Sequence, residues 1–186
     1  MANRAVFLDR DGTINKDIGF AYRKEDYERL PGVVEGLRAL SKLGFKLVVI
    51  TSQGGVARGF YKEEDVHGFH DVIIKDLEEH GINISAFYFC PHHPTEGIGT
   101  YKVVCECRKP KTGMMDKAAK ELDINKKKSY MIGDRDIDIK MGKSAGCTTI
   151  FVKTGTNKKL EGVTAGYEAE DLQDAANWIK QKEEKA

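Results

Sequence analysis

Val6-Phe7-Leu8-Asp9-Arg10-Asp11-Gly12-Thr13 decides how this chain is read. Three apolar residues, enough for a short buried strand, run into two carboxylates two positions apart and then into a turn-forming Gly-Thr. In extended chain, residues two apart point to the same side, so Asp9 and Asp11 can face one small volume. Two anions placed together repel, and a hard divalent cation with oxygen ligands resolves the conflict. A calcium loop starts in a similar way, but Thr13-Ile14-Asn15 does not supply the acidic ligands such a loop needs next. These few residues also fit a plain turn, so the rest of the chain has to decide.

Outward from this stretch, short apolar runs alternate with amphipathic ones. Leu47-Val48-Val49-Ile50, Phe87-Tyr88-Phe89, Tyr130-Met131-Ile132 and Thr149-Ile150-Phe151-Val152 read as further buried strands. Between them, residues 33–43, 63–79, 114–122 and 137–145 carry apolar side chains at helical spacing, with Gly44, Gly81 and Gly146 as stops. Residues 170–186 read as a terminal helix packing Leu172, Ala176 and Ile179, then fraying. Strand and helix in alternation predict an α/β fold, a doubly wound three-layer parallel sheet. No tract is long enough for a separate cap domain, and 186 residues form one domain, 1–186.

In such folds the chemistry collects after the carboxyl ends of the strands. The unusual polar residues stand there: Asp9 and Asp11 after the first strand, Thr51 and Ser52 after the second, Asp134 after the fourth. Asp134, on a Gly-Asp turn, is the natural third carboxylate for a cation shared with Asp9. After the third strand comes a loop, residues 90–107, bracketed by Cys90-Pro91-His92 and Cys105-Glu106-Cys107. Three thiolates and an imidazole suit tetrahedral Zn²⁺ with every position filled by protein, a structural rather than a catalytic site. His93 has the wrong register for that spacing. The loop ends beside Arg108 and Lys109, and its order fixes where they stand.

The ordered set resembles the haloacid dehalogenase superfamily of phosphotransferases. Its four motifs resemble Val6 to Thr13, Val49-Ile50-Thr51-Ser52, Lys109 within Cys107-Arg108-Lys109-Pro110, and Gly133-Asp134-Arg135-Asp136-Ile137-Asp138. The resemblance implies a phosphoric monoester hydrolase with Asp9 as nucleophile and Asp11 as general acid and base. It implies Mg²⁺ held by Asp9, Asp134 and the backbone carbonyl of Asp11, with Thr51 and Lys109 on the phosphoryl oxygens. The zinc loop is the mark of a small subfamily holding heptose bisphosphate phosphatases and histidinol-phosphate phosphatases.

The length of the loop and Val56-Ala57-Arg58-Gly59 are similar to the heptose type. That type implies removal of the 7-phosphate of D-glycero-D-manno-heptose 1,7-bisphosphate, in making ADP- or GDP-heptose precursors of lipopolysaccharide or S-layer glycan. Histidinol phosphate is the alternative substrate. Carried over by position, Asp17, Ile18, Gly19, Phe20, Ser52, Gln53, Gly54, Arg108 and Arg135 line the substrate pocket. Arg108 is the first choice for a second phosphate and Arg58 the weaker one. Ser52 and Gly54 stand where the family usually has Asn and Ser.

Composition bounds the rest. Net charge is +1, which leaves no broad basic surface for nucleic acid. No signal peptide or membrane span opens the chain, so the expectation is a cytoplasmic enzyme, monomeric, acting on a small sugar phosphate. A zinc-finger reading leaves Asp9, Asp11, Thr51 and Asp134 without a purpose, and a phosphate-accepting receiver leaves Asp11 without one. His67 and His70, three apart on a helix, lack a third ligand and read as surface or partly packed; Cys147 reads as a small buried residue.

Overall fold

The computed structural model describes residues 2–185; the expected fraying at Ala186 lies outside them. Six strands form one sheet: β1 (Ala5–Leu8), β2 (Lys46–Ser52), β3 (Ala86–Cys90), β4 (Tyr130–Gly133), β5 (Thr148–Val152) and β6 (Tyr167–Ala169). Every pairing is parallel and the order is β3-β2-β1-β4-β5-β6. From β1 the chain winds outward through β2 to β3, then crosses back to β4 and continues the other way. The winding therefore reverses between β1 and β4, where Leu8 pairs with Val49 on one side and Ile132 on the other. Loops at a reversal point diverge and leave a crevice beyond the strand ends.

Among the described residues five α-helices lie between strands, α1 (Val33–Lys42), α2 (Gly54–Ala57), α3 (Glu63–Glu79), α4 (Gly113–Glu121) and α5 (Asp136–Ser144), and α6 (Leu172–Glu183) follows β6. Side chains alternate across a strand, so β1 serves both faces. Val6 and Leu8 pack with Leu37, Leu40, Phe69, Ile73, Leu77, Leu172, Ala176 and Ile179 from α1, α3 and α6. Ala5 and Phe7 face Met114, Met115, Ala118 and Met141 from α4 and α5. Each of these side chains larger than alanine contributes about 1.5–3 kcal/mol by burial, which makes the sheet a rigid platform for the loops it carries.

The expected strands and helices are present within a few residues. The short helix α2 and the strand β6 are additions. The last helix begins at Leu172, with Asp171 accepting a hydrogen bond from the Asp174 amide at its start. Among the described residues no helix is long and apolar enough to cross a membrane.

Candidate active site

Asp9 stands directly after β1, its amide donating to the Ile132 carbonyl of β4 at 3.0 Å. That bond carries the sheet one residue further and aims the carboxylate into the crevice between the two strands. There it meets Asp134 and Asp138, with ligand oxygens of all three within 4.8 Å of one another. Lys109 enters this cluster from the far side. Its Nζ donates to Asp9 Oδ1 at 2.6 Å and to Asp138 Oδ1 at 2.7 Å. Asp138 also caps α5, accepting from the Arg135 amide at 3.1 Å.

The electrostatics of the cluster are one-sided. Burial opposes the Lys109 charge, but Asp138 and Asp9 outweigh it and hold the amine at about 12. Burial first, then the charges of Asp9 and Asp138, push Asp134 up to about 9. Both Asp134 oxygens are buried without a hydrogen-bond partner. Were all three carboxylates ionised, the one ammonium would leave two negative charges uncompensated, so without a further cation Asp134 keeps its proton at neutral pH. An ionised, dehydrated carboxylate with no donor is costly, and a divalent cation beside Asp9 and Asp134 would supply both the charge and the missing partner.

The two-residue spacing predicts that the Asp9 and Asp11 carboxylates face one small volume. Both line one cavity of about 400 Å³, but their carboxylates are sorted into different environments. Asp11 accepts from Arg10 Nε at 3.1 Å and from Arg10 Nη2 at 2.9 Å on each oxygen. Asn15 Nδ2 reaches its Oδ1 at 2.9 Å and Gln53 Nε2 its Oδ2 at 3.1 Å. The anions that crowd Asp9 are therefore Asp134 and Asp138, not the Asp11 side chain.

Of the residues expected around substrate, the cavity brings together Asp17, Ile18, Gly19, Thr51, Ser52, Lys109 and Arg135 with Asp9 and Asp11. Ile137 and Thr156 complete its wall and were not foreseen. Gln53 is a correction: it is 2% exposed, donating to Thr51 Oγ1 at 2.8 Å and accepting from the Tyr61 hydroxyl at 2.7 Å, so it holds Asp11 and Thr51 rather than lining the cavity. Phe20 stands outside, edge-on to Phe60. Gly54 lies beneath two guanidinium groups; a Cβ there would come within 2.9 Å of Arg58 Nη1 and 3.2 Å of Arg108 Nη1. Arg108 donates to the His92 carbonyl at 2.9 Å, and Arg58 is ion-paired to Glu96.

Cys90, His92, Cys105 and Cys107 converge with their donor atoms within 4.8 Å of one another, and His93 is not among them. Sγ of Cys107 lies 3.0 Å from that of Cys90 and 3.3 Å from that of Cys105, with His92 Nδ1 3.4 Å away. These separations are far beyond a disulfide bond. They approach the ~3.8 Å edge of a tetrahedron with Zn–S bonds of about 2.3 Å. Hydrogen bonding from Cys90 foremost lowers the Cys107 thiol to about 5, so one thiolate is already favoured. His70 differs from expectation, since it is buried and stacked on Phe87 at 4.5 Å.

A carboxylate at the head of the central strand, faced by another from the next strand across the reversal, is the arrangement of HAD-like hydrolases. A family model described as HAD-hydrolase-like matches residues 106–175. A D-glycero-beta-D-manno-heptose-1,7-bisphosphate 7-phosphatase from Haemophilus influenzae is 39% identical over 96% of this chain and 97% of its own. The enzyme of that name from Escherichia coli K12 is 36% identical, over 94% and 87%. Among solved structures, D,D-heptose 1,7-bisphosphate phosphatase from B. bronchiseptica, complexed with magnesium and phosphate, superposes with a TM-score of 0.86 at 30% identity, covering 96% and 99%. The chain belongs to this heptose bisphosphate phosphatase family of HAD-like hydrolases.

Proposed function

We propose that this enzyme removes the 7-phosphate of D-glycero-beta-D-manno-heptose 1,7-bisphosphate through an aspartyl phosphate on Asp9, in making nucleotide-activated heptose. The observation that carries the reading is Asp134, whose two buried, unpartnered oxygens lie against Asp9 in a cluster of three carboxyl groups that one ammonium serves. Asp9, Asp134 and the Asp11 carbonyl would hold Mg²⁺, which when bound offsets charge on the phosphoryl oxygens.

This chain's residues do the rest. Asp9 attacks phosphorus as the bond to the sugar oxygen breaks, and Asp11 gives that oxygen its proton. Asp11 then takes a proton from the water that attacks the aspartyl phosphate, which returns Asp9 and releases phosphate. Thr51 and Lys109 hydrogen-bond the phosphoryl oxygens throughout. Arg108 and Arg135 suit the anionic remainder of a bisphosphate. A structural Zn²⁺ on Cys90, His92, Cys105 and Cys107 would fix the approach to Arg108 and Lys109. The same reading makes the enzyme a cytoplasmic monomer.

Phosphate release from the beta 1,7-bisphosphate, its alpha anomer and histidinol phosphate tests the proposal, with and without Mg²⁺. The beta bisphosphate should have the highest kcat/KM, Mg²⁺ should be required, and Asp9→Asn should abolish turnover. A higher kcat/KM for histidinol phosphate, or appreciable activity in D9N, overturns it. Metal analysis without zinc overturns the role of the loop.

A further inference from the structure

The loop after β5, Lys153-Thr154-Gly155-Thr156, carries none of the recognised motifs, yet it closes over the carboxylate cluster. Thr154 Oγ1 donates to the Gly12 carbonyl at 2.6 Å, which ties this loop to the turn after β1. Between the two loops sits Asp134. A Cβ on Gly155 would fall 1.8 Å from Asp134 Oδ2, and a Cβ on Gly12 would fall 2.4 Å from the same atom. The Gly12 φ of +83° already excludes most side chains, but Gly155 has no positive φ, so its backbone would tolerate alanine. The three atoms nearest a Cβ on Gly155 all belong to the Asp134 side chain, at 1.8, 2.5 and 2.6 Å. From the open side, Thr156 joins the wall of the cavity.

We infer that Thr154 and Gly155 are positioning residues for the Asp134 carboxylate: they press it between two glycine backbones and fix the orientation in which it meets a divalent cation. The inference rests on the reading of Asp134 as a Mg²⁺ ligand. The clamp holds the oxygens by contact and gives them no donor, which leaves both lone-pair sets free for a cation. Outer groups that orient a metal ligand through hydrogen bonds are worth roughly 10–100-fold in metal affinity, and the contact clamp is expected to act on the same scale.

Mg²⁺ alone, titrated calorimetrically into the Mg²⁺-free, zinc-replete protein, tests this without turnover, alongside G155A, Thr154→Val and Asp134→Asn. G155A should bind Mg²⁺ roughly 10–100-fold more weakly and T154V measurably more weakly, with zinc content unchanged. D134N should show no binding. If G155A melts cooperatively and binds within about twofold of the parent while D134N does not bind, the clamp is overturned and the ligand stands. If D134N binds like the parent, both are overturned. Should G155A fail to fold, T154V decides, and parental affinity in T154V overturns the clamp.

Discussion

Replacing Lys109 by Met isolates what one buried charge does here. Among the described residues Lys109 is the one cation within the Asp9–Asp134–Asp138 cluster; its side chain is 2% exposed and those of Asp9 and Asp138 are 9% and 0% exposed. Methionine keeps most of the stem and removes the charge, so two buried carboxylates lose a donor at once. Breaking a buried pair from one side costs about 3–5 kcal/mol, because the other side stays behind uncompensated. Part of that is recovered if a carboxylate takes up a proton, so the low end, about 3 kcal/mol, is the working figure. With a urea m-value of about 2 kcal/mol/M, the midpoint should fall by about 1.5 M. Thermal unfolding should fall by roughly 6–12 °C, at about 2–4 °C per kcal/mol for a domain of this size. Urea unfolding at pH 8 without added Mg²⁺ is the assay, read independently of activity. Adding Mg²⁺ should stabilise K109M more than the parent, since the cation then faces a larger charge deficit. A midpoint within about 0.3 M of the parent would refute the account of the cluster as an anionic site held together by Lys109.

Three further outcomes follow. His70 is buried, and burial foremost, then the Arg10 and His67 charges, lowers it to about 3 from 6.5. Folding therefore holds its full stability above about pH 6.5 and loses it as pH falls toward 3; His70→Asn should save about 2 kcal/mol of the loss between pH 6.5 and 5, and parallel urea midpoints in both proteins would refute this. Arg108→Ala should lower kcat/KM for a heptose bisphosphate about 10–100-fold and leave an aryl monophosphate nearly unchanged, because a charged hydrogen bond is worth about 1.5–3 kcal/mol; equal losses on both substrates would refute a role at the second phosphate. Tyr61→Phe removes the donor that turns the Gln53 amide toward Asp11 and Thr51, and kcat should fall about fivefold with KM steady; a change in KM alone would refute it.

The sheet was legible because its signals are local. Apolar runs of the right length, helical spacing and glycine stops placed β1 to β5 and the longer helices. β6 was not legible, since Tyr167-Glu168-Ala169 is three residues with an exposed glutamate at its centre. Polar residues at strand ends were easily found, but what each one touches was not. Asp138 was visible four residues after Asp134, but its partner Lys109 stands 29 residues away in sequence. Arg10 gave no local sign of full burial. Its place depends on Asp11, the Ala21 carbonyl and the face of Phe69, 4.5 Å from its guanidinium carbon, and only the fold assembles these. The same arginine explains why the Asp11 carboxylate is not among the anions that crowd Asp9.

Lys109 differs from the rest of the site in how it gets there. Asp9, Thr51 and Asp134 stand at the ends of β1, β2 and β4, so the hydrogen-bonded register of the sheet fixes their spacing. Lys109 instead follows an excursion of 17 residues beyond the end of β3, from 91 to 107, with no strand beneath it. A flexible excursion of that length would leave the amine to search for the cluster, at an entropic cost for each turnover. Two fastenings remove that freedom: the Cys90–Cys107 convergence, which ties the loop's end to the last residue of β3, and the two carboxylates that receive the amine. On the proposed reading zinc closes the first, which turns the register of β3 into a position for Lys109. With zinc bound there, the loop would be the means by which a residue without a strand acquires the precision of residues that have one.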